Sequence, residues 1–263
     1  MMAAGPGTLP LTVIVPTFNE EEILEECLGS VREAGEILVV DSLSTDRTES
    51  IALASGARFV QREYGYSASQ KNWAIPQARH EWILLLDADE RATPELMEEI
   101  RGILRNGPAH DGYWIRRSNH FLGREMKHGG WETDAVIRLF RRDASRYQDR
   151  EVHAEIDLPG PIPTMKNRLL HYSFRSWRQY WPKIGRYTDW GASQAYRDGK
   201  RAGLGSILVR PLLRFLKMYV IRLGFLDGAE GAQLALLGAF SVYLKYSKLW
   251  EISRRSQRRQ GDA

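Results

Sequence analysis

The stretch Trp-Ile-Leu-Leu-Leu-Asp-Ala-Asp-Glu at residues 82–90 decides the fold class of this 263-residue chain. Its run of apolar residues predicts a strand buried on both faces, as in a parallel sheet covered by helices. Asp87 and Asp89 follow at the carboxyl end of that strand, where ligands bind in open α/β sheets. Because like charges so close together need a cation, the pair predicts a Mg²⁺ or Mn²⁺ site that also contacts substrate phosphates. An acidic turn that only caps the next helix would give the same short pattern.

Strands and helices alternate through the first hundred residues, which predicts a parallel sheet with right-handed crossovers. The predicted strands cover residues 11–15, 37–40, 58–61 and 82–86, and the predicted helices cover residues 23–31, 46–54 and 67–78. Beyond residue 106, strands at 112–117 and 135–140 flank an irregular segment, and helices dominate from residue 177. We therefore predict an α/β catalytic domain at residues 1–175 and an amphipathic helical region at residues 176–263.

The composition excludes several classes of protein. A content of 43% hydrophobic and 27% charged residues is that of a globular protein and not of a disordered one. The single cysteine, Cys27, excludes an intramolecular disulfide and is predicted to be a buried thiol. The first ten residues lack a secretory pattern, so the expected compartment is the cytoplasm. No charge-free apolar run reaches the roughly 18 residues of a spanning helix.

The net charge of +4 is unevenly distributed, with basic stretches at residues 254–259 and within residues 207–223. In the second stretch a stripe of arginine and lysine at i, i+4 and i+7 is surrounded by apolar residues. This pattern predicts a helix, opened by Pro211, that lies on the anionic inner face of the cytoplasmic membrane. A core helix packed on the catalytic domain or on a partner subunit is the alternative, and a homo-oligomer stays open. A basic tail alone is weak support for nucleic-acid binding, and no nucleic-acid partner is predicted.

Polar loops follow three of the predicted strands, and the carboxyl ends of parallel strands share one edge of a sheet. Asp41 is the candidate to accept a hydrogen bond from a nucleobase ring N–H, although it could instead cap the next helix. The small-residue turn before Lys71 suits a diphosphate, although it could be an ordinary helix start. The candidate ligand-binding residues of these loops and of the Lys71 segment are Pro16, Thr17, Asn19, Glu20, Asp41, Ser42, Ser69, Lys71, Asp87, Ala88 and Asp89.

Several of these motifs occur together in one known family. Val-Pro-Thr-Phe-Asn-Glu-Glu at 15–21, Val-Val-Asp at 39–41 and Asp-Ala-Asp at 87–89 resemble glycosyltransferase family 2, which comprises inverting enzymes of the GT-A fold. Further segments are similar to the lipopolysaccharide-core β-glucosyltransferases of the WaaE type: Gln-Lys-Asn-Trp-Ala at 70–74, Ile-Arg-Leu-Phe-Arg-Arg at 137–142, Val-His at 152–153 and His-Tyr-Ser at 171–173. In one departure, Ala154 separates His153 from Glu155, where the family commonly has Glu directly after His.

The resemblance implies a GT-A fold, in which a Rossmann-like nucleotide-binding sheet is flanked by helices, with a C-terminal helical extension. It also implies transfer of a hexose, with glucose from UDP-glucose as the expected donor, to a lipid-linked glycan such as lipopolysaccharide core. The candidate ligand-binding residues from Pro16 to Asp89 are then the predicted nucleotide-sugar site. A divalent cation held by Asp89, with Asp87 nearby, would stabilise the leaving diphosphate.

The family keeps its acidic base where this chain has Glu-Thr-Asp at residues 132–134, which makes Asp134 the predicted catalytic base. Glu155 is the competing candidate. If Asp134 only pairs with Arg138 or Arg141, its role is structural. Weaker predictions assign acceptor binding to Trp131, Arg138, His153 and Glu155. Histidines 120, 128, 153 and 171 lack close ligand spacing, so surface or acceptor-site roles are favoured over a zinc site.

Other functions fit parts of the pattern. A polyprenyl-phosphate glycosyltransferase would share the fold and donor site, but such enzymes often carry Asp-Asp where this chain has Asp41-Ser42. A catalytically silent nucleotide-sugar-binding or membrane scaffold protein is disfavoured by the intact acidic set. A glycosidase would hold its paired carboxylates about 5–10 Å apart across a glycosidic bond, whereas Asp87 and Asp89 leave the same turn.

Overall fold

A computed structural model describes residues 8–148 and 155–261. The chain forms two compact units, one of Met1–Ser118 with Asp134–His171 and a second of Asn119–Thr133 with Tyr172–Ala263. The second unit thus includes a loop from the middle of the chain in addition to the C-terminal region. The domain boundary between residues 175 and 176 stays a prediction.

The elements are numbered in chain order. The strands are β1 (Leu9–Thr17), β2 (Ala34–Asp41), β3 (Arg58–Gln61), β4 (Trp82–Leu85), β5 (Glu90–Ala92), β6 (Gly112–Phe121), β7 (Arg124–Glu125), β8 (Ala135–Arg141), β9 (Arg146–Tyr147), β10 (Ile156–Asp157) and β11 (Thr164–Phe174). The α-helices are α1 (Leu24–Gly29), α2 (Thr48–Ala54), α3 (Ser67–Ala74), α4 (Pro94–Asn106), α5 (Trp177–Arg197), α6 (Leu204–Leu216) and α7 (Gly228–Gly261).

Nine strands form one mixed sheet in the order β3-β2-β1-β4-β8-β6-β11-β5, with β7 paired to β6. The strands β3, β2, β1 and β4 are parallel to one another, as the alternation of strands and helices predicts. The other half is antiparallel: β8 pairs with both β4 and β6, and β5 pairs with β11. The pairing of β9 with β10 makes a separate two-stranded ribbon. Strands from later in the chain therefore complete the sheet beside β4. We call residues 87–90, which follow β4, the acidic turn.

The strand that opens the sequence argument is buried on both faces, as predicted. Every residue of β4 is buried. Leu84 packs in a cluster with residues of α1 and α4, whereas Ile83 and Leu85 pack in a second cluster that includes Ile75. Helix α3 ends at Ala74, immediately before a 3₁₀ turn that contains the next proline, as expected for a residue that cannot continue the helical hydrogen bonds. Cys27 is a buried free thiol, as predicted.

The second unit is helical, with a core formed by Phe121, Met126, Tyr180, Ile184, Met218, Leu234, Ala235 and Leu237. The prediction that Pro211 opens a helix is wrong, because α6 begins at Leu204 and continues through the proline. A helix can contain a proline beyond its first turn when flanking residues favour helix, at the loss of one backbone hydrogen bond. A π-helical turn at Lys217–Ile221 follows α6. Within the described residues, no helix has the length and apolar character needed to cross a bilayer.

Glu36, on β2, is a buried carboxylate away from the acidic turn. It accepts hydrogen bonds from the Thr12 hydroxyl (2.8 Å), the Arg58 guanidinium (2.9 Å) and the Arg79 backbone N–H (2.7 Å). Burial alone would raise the pKa of Glu36, but these hydrogen bonds hold it below its usual value. A carboxyl whose pKa is lowered by folding stabilises the folded state above its unfolded pKa, and that contribution is lost as the pH falls through the folded pKa.

We predict that Glu36→Gln lowers the free energy of unfolding at pH 7 by about 2 kcal/mol, since it removes hydrogen bonds to a charged group. The difference from the wild type should shrink as the pH falls below about 4, where the wild-type carboxyl also becomes protonated. Urea unfolding at a series of pH values measures both quantities. A difference that stays constant from pH 7 to pH 3 contradicts the assigned role of the charge.

Candidate active site

The turn after β4 is held by hydrogen bonds within itself and by a buried arginine. The Glu90 backbone N–H donates to the Asp87 carbonyl (2.8 Å), and the Asp87 N–H donates to Glu90 Oε2 (3.0 Å). Arg91 is buried and donates to the carbonyl of Ala88 (2.7 Å) and to that of Ile23 (2.7 Å), just before α1. The two aspartates that the sequence singles out thus project from a turn with a fixed backbone.

Asp87 is neutralised by two cationic side chains of the protein. Its carboxylate forms an ion pair with Arg138, on β8, and lies 3.6 Å from the Lys71 ammonium, on α3. Burial alone would raise the pKa of Asp87, but the charges of Arg138 and Lys71 hold it well below its usual value. Asp87 therefore stays ionised. Its negative charge, for which the sequence predicts a metal ion as the partner, is already neutralised by Arg138 and Lys71.

Asp89 has a different partner, His171, whose Nε2 lies 3.7 Å from Asp89 Oδ1. Strand pairing brings them together, because His171 is opposite Glu90 in the β11–β5 ladder. A carboxylate and an imidazole are both ligands for Mn²⁺, and two protein ligands leave positions for phosphate oxygens and water. The described residues contain no group of three or more His, Cys, Asp or Glu side chains arranged to hold a metal. Asp89 and His171 therefore suit a metal ion whose remaining ligands come from the substrate and water.

Sequence reasoning missed this position of His171, which it assigned to the surface or the acceptor site. No spacing signal could have revealed the contact, because Asp89 and His171 are far apart in the sequence and meet only through β11. That strand was itself not predicted, since polar residues interrupt its apolar pattern.

The loops after β1 and β2 form one hydrogen-bonded platform. The backbone N–H of Asn19 donates to Ser44 Oγ (2.7 Å), and Asn19 Oδ1 accepts from the Thr45 N–H (2.9 Å). The Glu20 N–H donates to Thr48 Oγ1 (2.9 Å) at the start of α2. Asn19 is held at a φ of 54°, in the left-handed region that asparagine tolerates better than most residues. Pro16 and Thr17 are the last residues of β1, and the loop that follows them is thus fixed by the loop after β2.

Asp41 lies at the centre of this platform and is fully buried. Its carboxylate accepts hydrogen bonds from the Thr17 hydroxyl (3.0 Å), the Ser44 backbone N–H (2.8 Å) and Gln61 Nε2 (3.2 Å). The contact with the Ser44 N–H lies within the loop and does not cap the next helix, because α2 begins at Thr48 with Arg47 at its N-cap position. The side chain of Ser42, next in sequence, accepts from Gln70 Nε2 (3.2 Å). A nucleobase N–H would have to replace one of the donors to Asp41.

The predicted diphosphate segment is also engaged within the protein. The Ser69 carbonyl and hydroxyl accept from the Arg62 guanidinium at 2.7 and 3.0 Å. The Lys71 ammonium, besides its contact with Asp87, lies 5.2 Å from the centroid of the Tyr147 ring. Lys71 is buried against the acidic turn, so its charge acts at the tip of β4.

Asp134, the predicted base, forms a two-point ion pair with Arg117 of β6. Arg117 Nε donates to Oδ2 (2.9 Å) and Nη2 to Oδ1 (3.0 Å), while the Arg117 backbone N–H donates to the Asp134 carbonyl (2.9 Å). Of the two arginines expected as alternative partners, Arg138 binds Asp87 and Glu90, and Arg141 binds Asp111 at 3.0 Å. Burial alone would lower the pKa of Arg117, but Asp134 and the charge of Glu90 raise it above its usual value.

The predicted acceptor residues fall in different parts of the chain. Trp131 belongs to the second unit, where its ring packs edge-to-face against Phe121 at 6.5 Å between centroids. Glu155 is exposed. His153 lies outside the described residues. The predicted roles of Trp131 and Glu155 in acceptor binding stay predictions.

A parallel half-sheet whose strand β4 is followed by Asp-Ala-Asp, extended by antiparallel strands and followed by helices, is the arrangement of a GT-A catalytic domain. Residues 12–165 match the sequence model of the family described as glycosyl transferase family 2. The chain therefore belongs to glycosyltransferase family 2, and the fold class predicted from the sequence is confirmed.

Several known proteins are similar to this chain. The lipopolysaccharide core biosynthesis glycosyltransferase LpsC of Rhizobium meliloti (strain 1021) is 28% identical over 91% of this chain and 94% of its own length. The low-salt glycan biosynthesis hexosyltransferase Agl6 of Haloferax volcanii is 34% identical over 48% of this chain and 32% of its own. A solved structure of glucosyl-3-phosphoglycerate synthase from Mycobacterium tuberculosis, with Mn²⁺ and uridine diphosphate, is 25% identical over 42% of this chain and 44% of its own, with a TM-score of 0.36.

Proposed function

We propose that this protein is an inverting, metal-dependent glycosyltransferase that moves a hexose, glucose from UDP-glucose, to a lipid-linked glycan of the lipopolysaccharide-core type. The observation that carries the proposal is the acidic turn after β4, which supplies Asp89 beside His171 and is connected by ion pairs to Asp134. The similarity to LpsC over most of both chains supports the acceptor class, and the similarity to the hexosyltransferase Agl6 supports the sugar class.

The proposed reaction is a single displacement at the anomeric carbon of the donor sugar. The acceptor hydroxyl oxygen forms the new bond to that carbon while the bond to the diphosphate oxygen breaks on the opposite side. The hydroxyl proton passes to the Asp134 carboxylate, and the electron pair of the broken bond leaves with the nucleoside diphosphate. Arg117 orients Asp134 through two hydrogen bonds, and a positioned general base of this kind typically contributes about 10²- to 10⁴-fold to the rate.

Asp89 and His171 are the residues that would hold the divalent cation. Such an ion, when bound, supplies positive charge for the developing diphosphate. Asp87, neutralised by Arg138 and Lys71, then keeps the turn in place. In the platform, Asp41 would accept the nucleobase N–H in exchange for one of its present donors.

We predict that Asp89→Ala abolishes transfer and the Mn²⁺-dependent rise in melting temperature with UDP-glucose, because a ligand that binds only the folded state stabilises it. His171→Ala should weaken Mn²⁺ binding about 10-fold or more. Calorimetric Mn²⁺ titration and thermal melts measure both. Asp111→Ala, which removes a carboxylate paired with Arg141, is the matched control and should leave both unchanged. Retained Mn²⁺-dependent stabilisation in Asp89→Ala would remove the metal role.

We predict that Asp134→Asn keeps donor affinity but lowers kcat by about 10²- to 10⁴-fold, since the amide cannot take the hydroxyl proton. Asp143→Asn is the control, because Asp143 also forms a two-point pair with an arginine, Arg142, at 2.9 Å for both contacts. Steady-state kinetics with donor and acceptor varied separately provide the measurement. Normal turnover of Asp134→Asn together with a dead Glu155→Gln variant would place the base at Glu155.

The surface of the second unit supports the lipid-linked acceptor. No residue of α6 is buried, and its leucines at 204, 208, 212 and 213 are each more than half exposed. Residues 199–226 contain six lysines and arginines and no acidic residue. An apolar helix face combined with an excess of positive charge matches an anionic lipid surface, where each cation contributes about 1 kcal/mol. Residence on the cytoplasmic face stays a prediction.

We predict that the protein floats with liposomes that contain anionic phospholipid and not with neutral liposomes. Leu212→Asp should abolish flotation, whereas Leu53→Asp, at a similarly exposed leucine of α2, should not. The double variant Arg210→Gln with Arg214→Gln should weaken binding by about 2 kcal/mol, or roughly 30-fold. If the apolar face instead joins two copies of the chain, sedimentation without lipid will show a dimer that Leu212→Asp dissociates, and no flotation will occur.

A further inference from the structure

Glu90 is a fully buried carboxylate that the proposed reaction does not use. It follows Asp89 directly and begins β5. Its Oε1 accepts hydrogen bonds from two guanidinium groups, those of Arg138 (2.8 Å) and Arg117 (3.2 Å). Its Oε2 accepts the Asp87 backbone N–H (3.0 Å). One carboxylate thus binds two arginines from two different strands and the turn that carries Asp87.

The two arginines continue the connection in opposite directions. Arg117 binds Asp134 through two hydrogen bonds, and Arg138 binds Asp87. The sequence of contacts Asp134–Arg117–Glu90–Arg138–Asp87 is therefore unbroken, and we call these five residues the ion ladder. Arg138 is on β8, Arg117 is on the adjacent strand β6, and Glu90 is on β5 at the sheet edge. Asp134 directly precedes β8, and Asp87 lies in the turn after β4. Glu90 is the central residue of the ladder, because it binds both Arg117 and Arg138.

Buried ion pairs such as those of the ion ladder contribute little net free energy to the stability of the folded state. Replacement of a buried ion pair by apolar residues of similar volume is often neutral or stabilising, because desolvation opposes the attraction between the charges. Arg138 Nε is, moreover, a buried donor without a hydrogen-bond partner in the described part of the chain. An unmet buried donor costs free energy, which indicates that the geometry serves a purpose other than maximal stability.

We infer that Glu90 is a positioning residue that fixes the Asp134 carboxylate relative to the acidic turn. Without its charge, the guanidinium groups of Arg117, which is partly buried, and Arg138, which is buried, would have no anion between them and would move apart. Arg117 would then carry Asp134 with it, whereas Arg138 would remain on Asp87. A displacement of about 1 Å between reacting groups can cost about 100-fold in rate. The inference rests on the proposed role of Asp134 as the base.

The first test compares Glu90→Gln with Glu36→Gln. Both variants remove a buried carboxylate that binds arginine, and Glu36 is away from the acidic turn. Both variants are assayed at saturating substrate concentrations and at a temperature well below their melting temperatures. We expect the kcat of Glu90→Gln to fall about 100-fold, with little change in the donor KM. The Glu36→Gln variant should lose stability and keep its kcat. Equal kcat values for Glu90→Gln and the wild type, per folded enzyme, would overturn the inference.

The second test is a double-mutant cycle with Arg117→Lys, which keeps the charge but cannot bridge two carboxylates with a fork of donors. If Glu90 acts on Asp134 through Arg117, Glu90→Gln should lower kcat by less than about 3-fold further in the Arg117→Lys background. A full and independent loss in that background contradicts the proposed route. If Glu90→Gln does not fold, Glu90→Asp, which keeps the charge but shortens its reach to the two arginines, takes its place. A lowered kcat with an unchanged donor KM then supports the positioning role of Glu90, and an unchanged kcat refutes it.

The outcomes separate this inference from the proposed function. Loss of transfer in Asp134→Asn with normal kcat in Glu90→Gln would leave the base assignment intact and refute the positioning role. Normal transfer in Asp134→Asn would refute the base assignment and, with it, the reason for a ladder that ends at Asp134.

Discussion

The need to neutralise carboxylates at the tip of a buried strand organises the catalytic unit. Asp87 and Glu90 sit at the end of an apolar strand, where charge is stable only beside opposite charge. Arg138 reaches both from β8, the antiparallel neighbour of β4, and Lys71 reaches Asp87 from α3. The strand order, which places β8 between β4 and β6, is what makes this compensation geometrically available.

Asp87 and Asp89, the two aspartates of the acidic turn, have different partners. Asp87 is held by protein cations and so fixes the turn, whereas Asp89 faces an imidazole, which leaves it suited to a divalent ion. Two neighbouring acids thereby acquire different roles from different surroundings, a general consequence of local electrostatics in active sites. Arg117, shared between Glu90 and Asp134, extends this arrangement towards the proposed base.

The chain places its chemistry and its apolar surface in different units. The acidic turn, the platform and Asp134 belong to the first unit, and the exposed leucines of α6 belong to the second. The proposed reaction on a lipid-linked acceptor would need both, because a soluble donor and a membrane-bound acceptor approach from different phases. The absence of acidic residues from positions 199–226 is the sequence feature that accompanies this division.

The sequence by itself determined the parallel half of the sheet, the acidic turn and the family. Apolar runs and short motifs are local patterns that can be recognised without knowing which segments meet in the fold. It also suggested Asp134 as the base, which stays a prediction, but it did not identify Arg117 as the partner of Asp134. It misplaced the start of α6. Only the tertiary structure decided the antiparallel half, the contact of His171 with Asp89 and the shared use of Glu90. These depend on β11, β5 and β8 pairing across long sequence separations, and no periodicity within a segment encodes which distant strand it will join.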